Sequence, residues 1–97
     1  MFKINYTHSA RDDISTFRKQ EQTIIADNIE EHLAHQPNIE TRNRKKLRPN
    51  QTAQWELRAE AFRVLYDVDE IKRSVEIRLV GRKVGATLLV RGQEYRI

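Results

Sequence analysis

At 97 residues the chain can bury roughly 60–70% of the surface its unfolded form exposes, which suits one modest core in a single domain spanning residues 1–97 and excludes a second. Hydrophobic residues at 38% and charged residues at 33% exclude a disordered chain, and no apolar run approaches the ~20 residues that cross a bilayer. Eighteen lysines and arginines against fourteen acids leave a net charge of +4, which favours nucleic acid or an acidic protein as partner. There is no cysteine to form a disulfide. The start, Met1-Phe2-Lys3-Ile4-Asn5-Tyr6, lacks the apolar stretch and small-residue cleavage site of a signal peptide, so a cytoplasmic location is expected.

Phe2, Ile4 and Tyr6 alternate with Lys3 and Asn5, predicting a short first strand. Ser9-Ala10-Arg11-Asp12 has the form of a capping box, and neither Gly nor Pro interrupts the chain before Pro37, so helix is expected over residues 9–36. Ile14 and Phe17, then Ile25, Ile29 and Leu33, carry helical spacing, while the polar run Arg18-Lys19-Gln20-Glu21-Gln22 shifts its phase. Two helices follow rather than one. Pro37 ends the second, and a polar, mostly basic loop runs to Pro49-Asn50.

From Gln54 the period becomes two. Trp55, Leu57 and Ala59 share one face of a strand, with Glu56, Arg58 and Glu60 opposite. Phe62, Val64, Tyr66 and Val68 repeat the pattern with Arg63, Leu65 and Asp67 opposite, and Val75, Ile77 and Leu79 do so with Glu76 and Arg78. Connections around Glu60-Ala61 and around Glu70-Ile71-Lys72-Arg73 are short enough for hairpins and too short for crossovers. Leu88, Val90, Gly92 and Tyr95 hint at a last strand or hairpin. The fold class expected is α+β, with two N-terminal helices packed on a small, mostly antiparallel sheet in the order β-α-α-β-β-β.

The strand–helix–helix start, the basic loop ending in Lys46-Leu47-Arg48, then Trp55-Glu56-Leu57-Arg58, Phe62-Arg63-Val64-Leu65-Tyr66 and Val80-Gly81-Arg82-Lys83 together resemble the RelE/ParE superfamily of bacterial toxin–antitoxin toxins over almost the whole chain. The resemblance implies a small cytoplasmic toxin held inactive by a cognate antitoxin protein, in a toxin–antitoxin hetero-oligomer. One branch of that superfamily cuts messenger RNA in the ribosomal decoding site, and another poisons DNA gyrase.

Cleavage in the first branch transfers the scissile phosphate to the neighbouring 2′-hydroxyl. It needs a proton acceptor, a proton donor for the leaving 5′-oxygen, and fixed cations at the phosphate. Arg63 matches the family's catalytic strand arginine, and its planar fork of donors suits phosphate oxygens. Arg82 and Lys83 match a basic pair implied to bind phosphate or protonate the leaving group. Arg58 shares a polar face with Glu56, where it either joins the site or pairs with Glu56, Glu60 or Glu76. Two lysines carried by ribosome-dependent relatives are replaced by Gln54 and Glu56, and a C-terminal tyrosine by Leu89. Lys45 or Lys46 as amine, Glu40 as base and Tyr95 are the substitutes within reach.

Five cations in the loop, Arg42, Arg44, Lys45, Lys46 and Arg48, form either an RNA-backbone contact or a solvated charge run. His32 and His35, three apart, lack a third ligand, so no metal site is expected. Trp55, Phe62 and Tyr66 alternate with polar residues and read as core. The glycines of Gly81-Arg82-Lys83-Val84-Gly85 are expected to serve turn geometry. The function expected is an endoribonuclease toxin acting on ribosome-bound messenger RNA without a cofactor, centred on Arg58, Arg63, Arg82 and Lys83. The alternatives are a non-catalytic DNA gyrase inhibitor and a degenerate toxin that retains only antitoxin binding. An acidic, disordered antitoxin segment that folds against the cations is the expected partner.

Overall fold

A computed structural model describes the protein from Met1 to Ile97. Strand β1 (Lys3–Tyr6) leads directly into helix α1 (His8–Ser15). The cap is Thr7, two residues before the expected Ser9: its hydroxyl oxygen accepts from the Ala10 N–H at 3.1 Å and donates to the Ile77 carbonyl at 2.8 Å. Thr7 therefore satisfies a first-turn amide and ties the helix to the sheet, whereas Ser9 and Asp12 are exposed. The break between the helices falls at Thr16–Arg18, where the Arg18 N–H donates to Glu21 Oε1 at 3.1 Å and opens α2 (Lys19–Leu33). Helix α2 ends three residues earlier than expected. Pro37 is fully buried and its carbonyl accepts the Tyr66 hydroxyl at 2.7 Å.

The remaining strands are β2 (Arg44–Lys46), β3 (Trp55–Ala59), β4 (Phe62–Asp69), β5 (Ser74–Val84), β6 (Thr87–Val90) and β7 (Gln93–Glu94). They lie in the order β2-β3-β4-β5-β6-β7, all antiparallel, and β1 adds the one parallel pairing, to β5. The fold is thus α+β, two helices on a mostly antiparallel sheet. Ile25, Ile29 and Leu33 of α2 pack with Trp55, Leu57, Val64, Tyr66 and Ile77 in the main core. Trp55, Phe62 and Tyr66 belong to that core, as their alternation implied.

Two features of β5 depart from simple alternation. The β4–β5 register shifts between Leu65 and Tyr66, so that Arg78 bulges and Leu79 moves to the sheet face away from the helices. There Leu79 joins Leu65, Ala53, Leu88 and Val90 in a second, smaller core. Val75 and Ile77 stay on the helix side. Gly81 serves close approach rather than a turn: a Cβ at this position would lie 2.6 Å from the Leu89 carbonyl oxygen. The β6–β7 hairpin can therefore curl onto the open face. Gly85, at φ +59°, does occupy the turn between β5 and β6.

Candidate functional site

Strand alternation carries Glu56 and Arg58 of β3, Arg63 of β4 and Lys83 of β5 to the face away from the helices. The β2–β3 register adds Lys45, which lies directly opposite Glu56. Arg58 lies directly opposite Arg63. Like charges so placed destabilise a strand pair, a cost that a site for an anion would offset. Glu56 is only 12% exposed and stands 3.5 Å from Arg58 Nε, while Arg58 is half-exposed. Pairing of Arg58 with Glu56 and membership of the cationic face therefore hold together.

Arg63 is held by its own turn. Its Nη1 donates to the Glu60 carbonyl at 2.9 Å and the Phe62 carbonyl at 2.8 Å, which fixes the guanidinium plane and leaves Nε and Nη2 for a ligand. Lys83 is fixed through its backbone, which donates to the Ala61 carbonyl at 2.7 Å. Its side chain borders a cleft of about 330 Å³ shared with Glu56, Leu88 and Tyr95. Four cations and one carboxylate on the same sheet face can bind a phosphodiester and accept a proton beside it.

Three other candidates lie elsewhere. Arg82 pairs with Phe62 across β4–β5 and so points to the helix side, opposite to its neighbour Lys83. It lies against the Phe17 and Phe62 rings, 5.6 and 5.0 Å from their centroids, and its Nη2 meets Glu21 Oε2 at 2.6 Å. That hydrogen bond, with help from the Arg18 N–H, holds the Glu21 carboxyl below its ordinary range. Arg82 thus anchors the start of α2 to the sheet. Lys46 lies across from Trp55 on the same side, with Nζ 5.6 Å from the indole centroid. Arg44 is buried, donating from Nε to the Ile39 carbonyl and from Nη1 to the His32 carbonyl, both at 2.8 Å, so it closes the C-terminal end of α2.

Arg42 and Arg48 are exposed, and β2 carries Lys45 onto the open face between them. Glu40 Oε2 accepts from the Lys46 N–H at 3.3 Å, on the loop before β2. The Tyr95 hydroxyl bonds Thr52 Oγ1 at 2.8 Å, and its ring forms a wall of the Lys83 cleft. His32 lies 3.3 Å from Glu31, and His35 is exposed. The sequence treated Glu56 only as a partner for Arg58. Its place opposite Lys45 depends on β2, which has no apolar alternation to announce it. No helix is long and apolar enough to cross a membrane.

No protein-family model matches the sequence, and no curated protein matches it. Among solved structures, the chain is similar to one in the toxin–antitoxin complex RelBE2 of Mycobacterium tuberculosis, with a TM-score of 0.71 and 22% identity over 84% of this chain and 98% of that one. It is also similar to one in the archaeal RelE–RelB complex of Pyrococcus horikoshii OT3, with a TM-score of 0.62 and 13% identity over 88% of this chain and 98% of that one. At such identities the likeness is one of fold. The chain has the RelE-like α+β fold, and its cationic face lies on the side of the sheet that the two helices leave open.

Proposed function

We propose that this protein is the toxin of a toxin–antitoxin pair, an endoribonuclease that cleaves ribosome-bound messenger RNA. The observation that carries the proposal is the presence of Arg58, Arg63 and Lys83 together with the recessed Glu56 carboxylate on the open face of a RelE-like fold. The RNA 2′-oxygen attacks the neighbouring phosphorus as Glu56 takes the hydroxyl proton. The bond from phosphorus to the 5′-oxygen breaks, and Lys83 gives that oxygen a proton. The products are a 2′,3′-cyclic phosphate and a free 5′-hydroxyl. Arg63, with two donor groups free and its plane fixed, stabilises charge that builds on the phosphoryl oxygens. Lys45, Arg42 and Arg48 hold the strand by its phosphates. In the silent state an acidic antitoxin segment covers the same cations.

The test is a reconstituted translation reaction with the RNA ends analysed chemically. Cyclic-phosphate and 5′-hydroxyl ends are expected, with Glu56→Gln and Lys83→Met each slowing cleavage about 10²–10⁴-fold, the usual range for losing one acid–base group. Intact messages, or cleavage at the wild-type rate in both variants, would overturn the proposal. Intact messages with inhibited DNA gyrase would replace it by the gyrase alternative.

A further inference from the structure

A cleft of about 680 Å³ beside α1 contains none of the cations just assigned to cleavage. It exists because the outer edge of β5 is shared unevenly. Strand β1 covers Ser74–Ile77 and β6 covers the edge from Arg82 onward, which leaves the bulged stretch between them without a neighbouring strand. Asp13 of α1 fills part of this gap, its Oδ2 accepting from the Val80 N–H at 3.1 Å. Asp13 lines the cleft although it is 1% exposed, and its buried Oδ1 accepts no hydrogen bond. Arg91 Nε lies 3.0 Å from that oxygen without hydrogen-bond alignment, so the contact is one of charge alone.

The empty acceptor calls for an N–H donor, since a buried polar oxygen without one is costly. The rim can take an anion: Arg91 and Arg78 stand there about half-exposed, and although Arg91 faces Asp13, Arg78 lies 3.8 Å from Asp67 and Glu94 shares the lining, each guanidinium keeps N–H donors free. Thr7, Gln51, Thr52 and Gln93 add neutral donors and acceptors to the walls. A lysine or arginine side chain would supply the donor but meet two guanidinium groups. Inorganic phosphate would supply the anion but face Asp13. One ligand class carries both features.

We infer that this cleft binds a guanine nucleotide, the base donating its N1–H and N2–H edge to Asp13 Oδ1 while Arg91 swings outward and, with Arg78, holds the phosphate. Guanine presents two adjacent donors to the carboxylate. Adenine and cytosine present one amino group, and uracil sets its single N–H between two carbonyl oxygens that the carboxylate repels. The ligand is a free guanine nucleotide or a guanosine within an RNA strand. For the strand the inference rests on the proposed nuclease function: the cleft shares Glu94 and Tyr95 with the one beside Lys83, so one strand can pass through both.

The experiment is nuclear magnetic resonance titration of the full chain with GMP, AMP, CMP and UMP, and with the oligoribonucleotides UUGUU and UUUUU. Shifts centred on the Val80, Arg91 and Gln93 amides are expected, with GMP binding about tenfold or more tightly than UMP. Binding of UUGUU without binding of GMP also supports the site and selects the strand as its source. Arg91→Ala, a change at a surface turn, should weaken every nucleotide. Asp13→Asn retains an acceptor for Val80 but turns a donor towards the base, and should abolish the preference for guanine. Equal binding of the four bases, or shifts confined to Arg63 and Lys83, would overturn the inference. So would an arginine-bearing peptide that shifts Val80 where nucleotides do not. Binding is read without cleavage, so failure here and failure of the nuclease proposal are separate results.

Discussion

Arg44→Met separates a structural cation from an RNA-binding one. Arg44 belongs to the basic stretch that the sequence offers as a nucleic-acid contact, yet it is 8% exposed and its two hydrogen bonds go to backbone carbonyls, that of His32 in the last turn of α2 and that of Ile39 in the loop beyond it. Hydrogen bonds to a charged group contribute about 1.5–3 kcal/mol each, so loss of the pair removes about 3–6 kcal/mol. Methionine recovers part of this by filling the space of the aliphatic stem, which leaves about 3 kcal/mol. For a domain of this size each kcal/mol lowers Tm by about 4–8 °C, giving a fall of about 12–24 °C. Thermal unfolding followed by circular dichroism measures it, with Arg42→Met as the control. Arg42 is exposed and its replacement should stay within about 0.5 kcal/mol of wild type. An Arg44→Met protein that melts within 3 °C of wild type while losing RNA affinity would refute this placement.

If Arg42 and Arg48 contact phosphates, replacing either with alanine should reduce the slope of log binding constant against log salt by about 0.7 for single-stranded RNA, measured by fluorescence anisotropy. An unchanged slope would remove them from the interface. Gly81→Ala would press a methyl group against the Leu89 carbonyl and should cost about 1–3 kcal/mol in denaturant unfolding, with faster amide exchange in β6. Wild-type stability would show that β6 does not approach so closely. Burial pushes the Asp13 carboxyl above its ordinary value of 3.8, more than the Val80 N–H and Arg91 pull it down. A raised acid favours the folded state while protonated, so its contribution is present below 3.8 and fades as pH rises through the folded-state pKa. The stability of Asp13→Asn relative to wild type should therefore rise from pH 3 to pH 7, and a fall over that range would contradict the sign.

The expected order of elements and the core could be read from periodicity. Trp55, Leu57 and Ala59 alternate cleanly because β3 is half-buried, and Ile25, Ile29 and Leu33 lie four apart because α2 packs one stripe on the sheet. Strand β2 escaped because it is three residues of Arg and Lys whose pairing with β3 is set by the backbone rather than by apolar side chains. That omission left Lys45 and Lys46 unseparated: once β2 is a strand, they must point to opposite faces. The same alternation separates Lys83 from Arg82, a step already available in the sequence. The bulge at Arg78 was not, because Leu79 is apolar and suits either face. Asp13 left a readable signal. It falls between Ala10, Ile14 and Phe17 on the stripe that α1 turns inward, where a carboxylate requires a partner across the sheet.

Controlled expression of wild type and Arg63→Ala, with growth followed and messenger RNA ends mapped, tests the nuclease proposal most directly. Arg63 is half-exposed and bonds only to its own turn, so the variant should fold and can be checked by its unfolding transition. Growth arrest with new internal cuts in wild-type cells, both absent in the variant, is the predicted result. Arrest with intact messages, or cuts that persist in a folded Arg63→Ala protein, would contradict it.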